Sequence, residues 1–297
     1  MAEVVYRGGN HPVRVGASIV PYLVQSWQIN DTRNPQKEYM LGQEAAIGTS
    51  MDAWRYRGQM TVHPVDTQVE RALIAESTST NPVTLVDLLE ATALALYGPN
   101  ESLGGAVVES LRYTANAPSG IYMASYSFRG SSRGAGASIT AASAPSQINF
   151  LPKNIMVQFG TLGSNLLRVR RMEIALNIRT EEAFEFSNED PWYLDRKEPA
   201  CTVTLGWFMS RDDTSPGTLA YDYRPAPDED DPDDLEIQLV PNGGDWDDAG
   251  NIKITLANIV ATDIRNSVNV NALGEDESSY TADDSTTGGF QIEVIAA

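Results

Sequence analysis

Five stretches of this chain alternate apolar and polar residues with a period of two, and nothing else in the sequence constrains the fold as strongly. Met172, Ile174, Leu176 and Ile178 alternate with Glu173, Ala175, Asn177 and Arg179. Cys201, Val203, Leu205 and Trp207 alternate with Thr202, Thr204 and Gly206. Residues 235–239, 252–256 and 290–294 repeat the pattern. Successive strand side chains point to opposite faces, so one apolar set in two specifies half-buried antiparallel strands. The chain is therefore expected to be mainly β, a barrel or sandwich. Asn242-Gly243-Gly244 supplies turn chemistry between two of the strands.

Residues 82–97 are expected to form one flanking helix. Asn81 can cap it, Pro82 suits a first helical position, and Thr84 and Asp87 have capping-box spacing. Leu85, Leu88, Leu89, Thr92, Ala93 and Leu96 then share a face, and Gly98-Pro99 ends it. A shorter helix is expected over 66–76, with Val69, Ala72 and Leu73 inward. The small residues of 130–144 read as a loop.

A faint internal repeat links residues 22–42 with 167–187. Displaced by 145, Ile29 meets Ile174, Tyr39 meets Phe184 and Leu41 meets Phe186. Met60-Thr61-Val62 aligns with Cys201-Thr202-Val203 at 141. Each copy reads as strand, polar turn, strand, loop, strand. Two tandem domains, 1–160 and 161–297, are expected.

Catalytic chemistry is poorly provided for. A single cysteine, Cys201, excludes an intrachain disulfide and a cysteine-rich zinc site. His11 and His63 leave little for a histidine metal site or a Ser-His-Asp triad. Asp245-Trp246-Asp247-Asp248 begins like a calcium loop, but Ala249 and Leu256 fall where ligands are required, which favours a hairpin turn. The Gly130 loop lacks the Gly-Lys-Ser/Thr ending that cradles phosphate. No enzyme activity, cofactor or metal is expected. With 40 acidic and 21 basic residues the net charge is −19, unlike a dedicated nucleic-acid or anionic-membrane binder. The start lacks the apolar core of a secretory signal and no run of apolar residues is long enough to span a membrane, so a protein made in a reducing cytoplasm is expected.

The charge is uneven: residues 1–180 carry net +2 and residues 181–297 net −21. Either the acids solvate loops such as 228–234, or the two parts attract each other within or between subunits. Trp54 and Tyr56 fall in a loop of the first copy, Trp192 and Tyr193 in the matching loop of the second. These rings either pack in the core or anchor a protein interface.

The unit formed by Ser26-Trp-Gln-Ile-Asn-Asp31, a polar turn, the return strand to Glu38-Tyr-Met-Leu-Gly42 and a third strand over 59–65 resembles the opening of tailed-phage tail tube proteins. The ending, from 252–260 to 290–295, resembles their closing strands. The resemblance covers about two thirds of the chain. It implies tandem tail-tube-like β-barrel or sandwich domains and a structural virion subunit of the tail. Such subunits stack as trimeric or pseudo-hexameric rings into a conduit for DNA ejection. It also implies tape-measure and tail terminator proteins as partners, viral DNA passing without specific binding, no membrane, and assembly in the host cytoplasm. In such a ring, arginines including Arg33, Arg170 and Arg171 would face the acidic part of a neighbour. With Trp54, Tyr56, Trp192 and Tyr193 they are the candidate interface residues. The rival reading is a β-sandwich that binds a glycan or protein, decorating a virion or serving a secreted assembly.

Overall fold

The fold is that of a computed structural model, which describes residues 12–16, 24–33, 35–38, 48–64, 66–74, 82–116, 120–140, 150–151, 154–159, 169–185, 189–208, 233–241, 244–267, 275–282 and 289–295. The chain opens with strands β1 (Arg14–Val15), β2 (Val24–Thr32), β3 (Pro35–Glu38), β4 (Gly48–Met51) and β5 (Arg55–Val62). Helix α1 (Gln68–Leu73), strand β6 (Val83–Thr84) and helix α2 (Leu85–Glu90) follow. Next come β7 (Leu94–Tyr97), β8 (Glu101–Asn116), β9 (Met123–Gly130) and β10 (Ser132–Ala135). The remainder is β11 (Ile155–Phe159), β12 (Val169–Ala183), β13 (Tyr193–Phe208), β14 (Asp233–Leu239), β15 (Ile252–Ser267), β16 (Glu275–Thr281) and β17 (Gln291–Val294).

All but β3 and β4 join one antiparallel sheet whose main path runs β11-β14-β15-β16-β13-β12-β8-β9-β5-β2. The pairings of the earlier strands recur in the later ones. Ile29 opposite Gly58 becomes Ile174 opposite Val203, and Thr32 opposite Arg55 becomes Asn177 opposite Ala200. Val108 opposite Phe128 becomes Ala261 opposite Tyr280, and Thr114 opposite Met123 becomes Ser267 opposite Glu275. Tyr97 opposite Ser102 becomes Glu236 opposite Thr255. The irregularities recur as well: the register shifts at Val24/Ser26, Val108/Ser110 and Leu94/Leu96 match those at Val169/Arg171, Ala261/Asp263 and Asp233/Leu235. Even the kink where β8 changes neighbours is shared. Gly105 has φ 56° there, and Asn258 has φ 50° at the same point of β15. Glycine takes that conformation freely and asparagine tolerates it better than most residues. Bulges are specific features of a sheet, so their coincidence at matched positions reflects one repeated strand plan.

The internal repeat read from the sequence thus holds at 145 for β2 and β12. The third strand needs correction: Met60 corresponds to Leu205, again at 145, rather than to Cys201. The expected polar turn after Asp31 is also corrected. β12 runs on as one strand through the matching stretch to Ala183 and stays paired with β13, with a register shift at Ile178/Arg179. Pro35 opposite Met51 repeats Thr180 opposite Arg196, so β3 and β4 prolong the β2–β5 hairpin after a short break. The turn-favouring residues at 30–35 thus fall along one arm of the hairpin.

The helix expected over 82–97 is six residues long. Thr84 caps it in a reciprocal box with Asp87, while Asn81 lies outside the described residues. Ala91 turns extended at φ −53°, ψ 138°, and Leu94–Tyr97 is strand β7, held by β8 and β1. Long-range pairing overrides the helical spacing of Leu85 through Leu96. The shorter helix forms as α1, with Val69, Ala72 and Leu73 buried. Part of the expected 130–144 loop is strand β10, paired with β8. The acidic stretch 228–232 lies outside the described residues.

Cross-strand partners share a face, which produces continuous rows. One row, Val62–Ala124–Tyr113–Ile174–Val203–Tyr280, crosses six strands and is buried throughout. Helix α1 lies within this core and places Glu70 against the hydroxyls of Tyr113 (2.8 Å) and Tyr126 (2.5 Å), both of which donate to the same carboxylate oxygen. Burial, opposed by these hydrogen bonds, raises the Glu70 pKa above its ordinary 4.5. A carboxyl whose folded pKa is raised contributes most stability below its unfolded pKa and loses it as pH rises through the folded value. Melting temperature is therefore expected to fall as pH rises from about 4.5 upward, and to fall less in Glu70→Gln. Parallel melting curves for the two proteins would contradict this.

Candidate assembly surface

The sheet face opposite the core is built from small polar side chains. Ser26–Thr61–Ser125–Arg112–Ala175–Thr202–Thr281 forms one row across seven strands. Gln28–Gln59–Ser127–Ser110–Asn177 forms the next. Thr61 meets Ser125 at 3.3 Å and Thr204 meets Ser279 at 3.2 Å. Most charges on this face are paired: Arg112 donates to Glu173 (2.7 Å) and Arg171 to Glu277 (3.0 Å). Gln59, Ser127, Ser110 and Asn177 line a shallow open depression in it.

The earlier and later strands meet where β12 pairs with β8, from Arg171 opposite Asn116 to Asn177 opposite Ser110. Beyond this seam the β12–β13 hairpin leans over the earlier strands. The Trp54 N–H donates to Glu189 O (2.8 Å), and Tyr56 donates to Asp190 (2.7 Å). Burial, then the bond to Asp190, push the Tyr56 pKa up to about 12. Glu182 sits between Arg129 (2.9 Å) and Arg55 (3.2 Å), with side chains of Glu182 and Arg129 only 8% and 9% exposed. Arg129 also binds Glu109. Burial works against its charge, but the two glutamates outweigh it and hold the guanidinium pKa above its ordinary value. These are buried charge pairs whose partners must stay in place.

Helix α2 bridges the same two groups of strands. Leu85 N–H donates to Phe290 O (3.0 Å), and β6 pairs with β17. Arg196 of β13 donates to Leu88 O (2.6 Å) and Ala91 O, satisfying carbonyls that the helix end leaves open.

The candidate interface residues therefore divide. Arg33 lies over the Trp54 ring (5.3 Å) and binds Glu189 (2.7 Å), so it serves the internal seam. Trp54 packs on the core and stacks on buried Tyr56 (6.4 Å), which places both within the chain's own packing. Arg171 lies on the polar face. Arg170 is on β12, and its side chain lies outside the described residues. Trp192 and Tyr193 stand at the hairpin tip, 64% and 54% exposed, and remain open to a partner. The sequence offered no signal for Glu182 and Arg129, which come together over 53 positions. Cys201 is buried, which pushes its thiol pKa up to about 12. Among the described residues no three metal-ligating side chains lie together.

No family model matches the sequence, and no curated protein matches it. Solved structures that superpose in part on this chain include the following two. The tube-terminating cap of the anti-feeding prophage superposes with a TM-score of 0.36 and 15% identity, covering 53% of this chain and 95% of the cap. A chain of the sheath–tube complex of the extracellular contractile injection system PVC, in its extended state, does so with a TM-score of 0.37 and 12% identity, covering 48% of this chain and 90% of that one.

Proposed function

We propose that the protein is a structural subunit of a phage-tail-like tube, built from two tandem tube units and assembling as rings that stack into a hollow conduit. The observation that carries this reading is the repeated strand plan joined head to tail at the β12–β8 seam. β2 at one end and the last part of β15 at the other lack a second strand neighbour among the described residues. A heterologous contact repeated around an axis closes into a ring and removes the sheet edges that would otherwise invite uncontrolled pairing. The pairing of β11 with β14 supports a division between the proposed units ahead of Ile155. Three chains would give six units. The face of Ser, Thr, Asn and Gln would line the lumen. It offers DNA few unpaired cations, which suits passage without binding. Tape-measure and terminator proteins would meet the ring inside and at its end, in a virion tail assembled in the host cytoplasm.

Sedimentation velocity at rising concentration tests the reading: trimers and longer polymers are expected, and a species that stays monomeric, with or without other tail components, would overturn it. Trp192→Ala is expected to shorten polymers while leaving the melting temperature unchanged, because the ring is exposed. Trp54→Ala is expected to lower the melting temperature, since its ring is packed; truncating a buried Trp costs roughly 3–5 kcal/mol, less here because burial is partial. The reverse pattern would show that the tip does not stack.

A further inference from the structure

The repeated registers also define how one chain meets the next. At the internal seam, residues 173–177 of β12 pair with residues 114–110 of β8. Each of these segments has a counterpart that lacks this neighbour. Residues 173–177 correspond to 28–32 of β2, because both oppose matched positions of the following strand, Gln28 to Gln59 and Glu173 to Thr204. Residues 110–114 correspond to 263–267 of β15, since Ser110 opposite Ser127 becomes Asp263 opposite Ser279. β2 ends the sheet path, and over 263–267 β15 is paired only with β16 among the described residues.

We infer that β2 of one chain adds to β15 of a second copy in the register of the internal seam. Gln28 then opposes Ser267, Ile29 opposes Asn266, Asn30 opposes Arg265, Asp31 opposes Ile264 and Thr32 opposes Asp263. This rests on the ring reading above and specifies its contact. The occupant is a second copy because the chain already holds one such seam between the same two kinds of edge. The Ile29 N–H supports it. It points away from β5 and donates to the Glu101 carboxylate at 3.3 Å, so it lies on the side a new strand would approach and would exchange that side-chain acceptor for a backbone carbonyl.

Opposed residues of an antiparallel pair have Cα atoms about 4.5–5.5 Å apart, within disulfide reach. The test is Gln28→Cys with Ser267→Cys, oxidised under assembly conditions and run on a non-reducing gel, with sedimentation of the same sample. Each chain then carries one cysteine at each edge, and the native Cys201 is buried. The expected result is loss of the monomer band to a covalently closed trimer. Thr32→Cys with Ser267→Cys, about 13 Å out of register along the strand, is expected to stay monomeric on the gel. Assembled rings that link through the Thr32 pair, or through neither pair, would overturn this register while leaving the ring reading intact. A sample that sediments as monomer throughout would overturn both.

Discussion

Replacing Glu182 with alanine is expected to cost about 3 kcal/mol of folding stability, the lower end of what breaking a buried ion pair costs. Among the described residues the Glu182 carboxylate is the one acidic group that binds both Arg129 and Arg55, and it does so where water is largely excluded. Without it Arg129 keeps Glu109 as a partner, which limits the loss. The hairpin carrying Glu182 also holds Trp54 and Tyr56 through Glu189 and Asp190, so the earlier and later strands should separate more readily in the variant. Denaturant unfolding would read the change as a lower midpoint, and a second transition would mark uncoupling of the two groups of strands. A double-mutant cycle with Arg129→Met isolates the pair: the double variant should recover much of the loss, because no buried charge is left alone. A midpoint within experimental scatter of the parent would show that the seam is held by backbone pairing instead.

Ring assembly is expected to accelerate as sodium chloride rises. The uneven charge along the sequence suggests that opposite parts attract between subunits, which would favour low salt. The structure spends that complementarity inside the chain: Arg33, Arg55, Arg112 and Arg129 bind Glu189, Glu182, Glu173 and Glu182. At the positions that the proposed chain–chain contact would bring together, the residues differ. Arg55 and Arg129 correspond to Ala200 and Thr281, Glu182 to Lys37, and Glu173 to Gln28. Most of the ion-pair positions of the internal seam thus lose one or both charges between chains. What remains is repulsion between copies at net −19 each. Salt shortens its range to about 10 Å at 0.1 M and about 3 Å at 1 M. Light scattering against salt concentration measures the rate. A rate that falls steadily with salt would mean that complementary charge still operates between chains.

Much of the fold was legible in the sequence, and the reason is physical. Met172 through Ile178 and Cys201 through Trp207 lie on strands with one face buried, so their alternation records their environment directly. Ile29 and Ile174 revealed the repeat because both belong to the apolar set of matched strands. Leu94–Tyr97 misled because residues at helical spacing can also fill a short strand when distant partners are available. The hairpin break near Arg33 misled because Asn, Pro and Asp favour turns wherever they stand. The charged seam was invisible for a different reason. Arg55 and Glu182 are 127 positions apart and Arg33 and Glu189 are 156 apart, and neither residue of a pair is unusual alone. The aromatics were half legible: an expected loop position drew attention to all four, but Tyr56 lies on β5 and Tyr193 on β13, and only the structure separates packed Trp54 and Tyr56 from exposed Trp192 and Tyr193.

The central claim is that one chain supplies two equivalent arcs of a closed ring. End-on electron micrographs of the assembled protein test it most directly. Averaged views are expected to show a hollow ring with six similar lobes at low resolution, resolving into three identical pairs as detail improves. Solid particles, two-fold dimers, or rings whose lobe number is not twice the number of chains would contradict it.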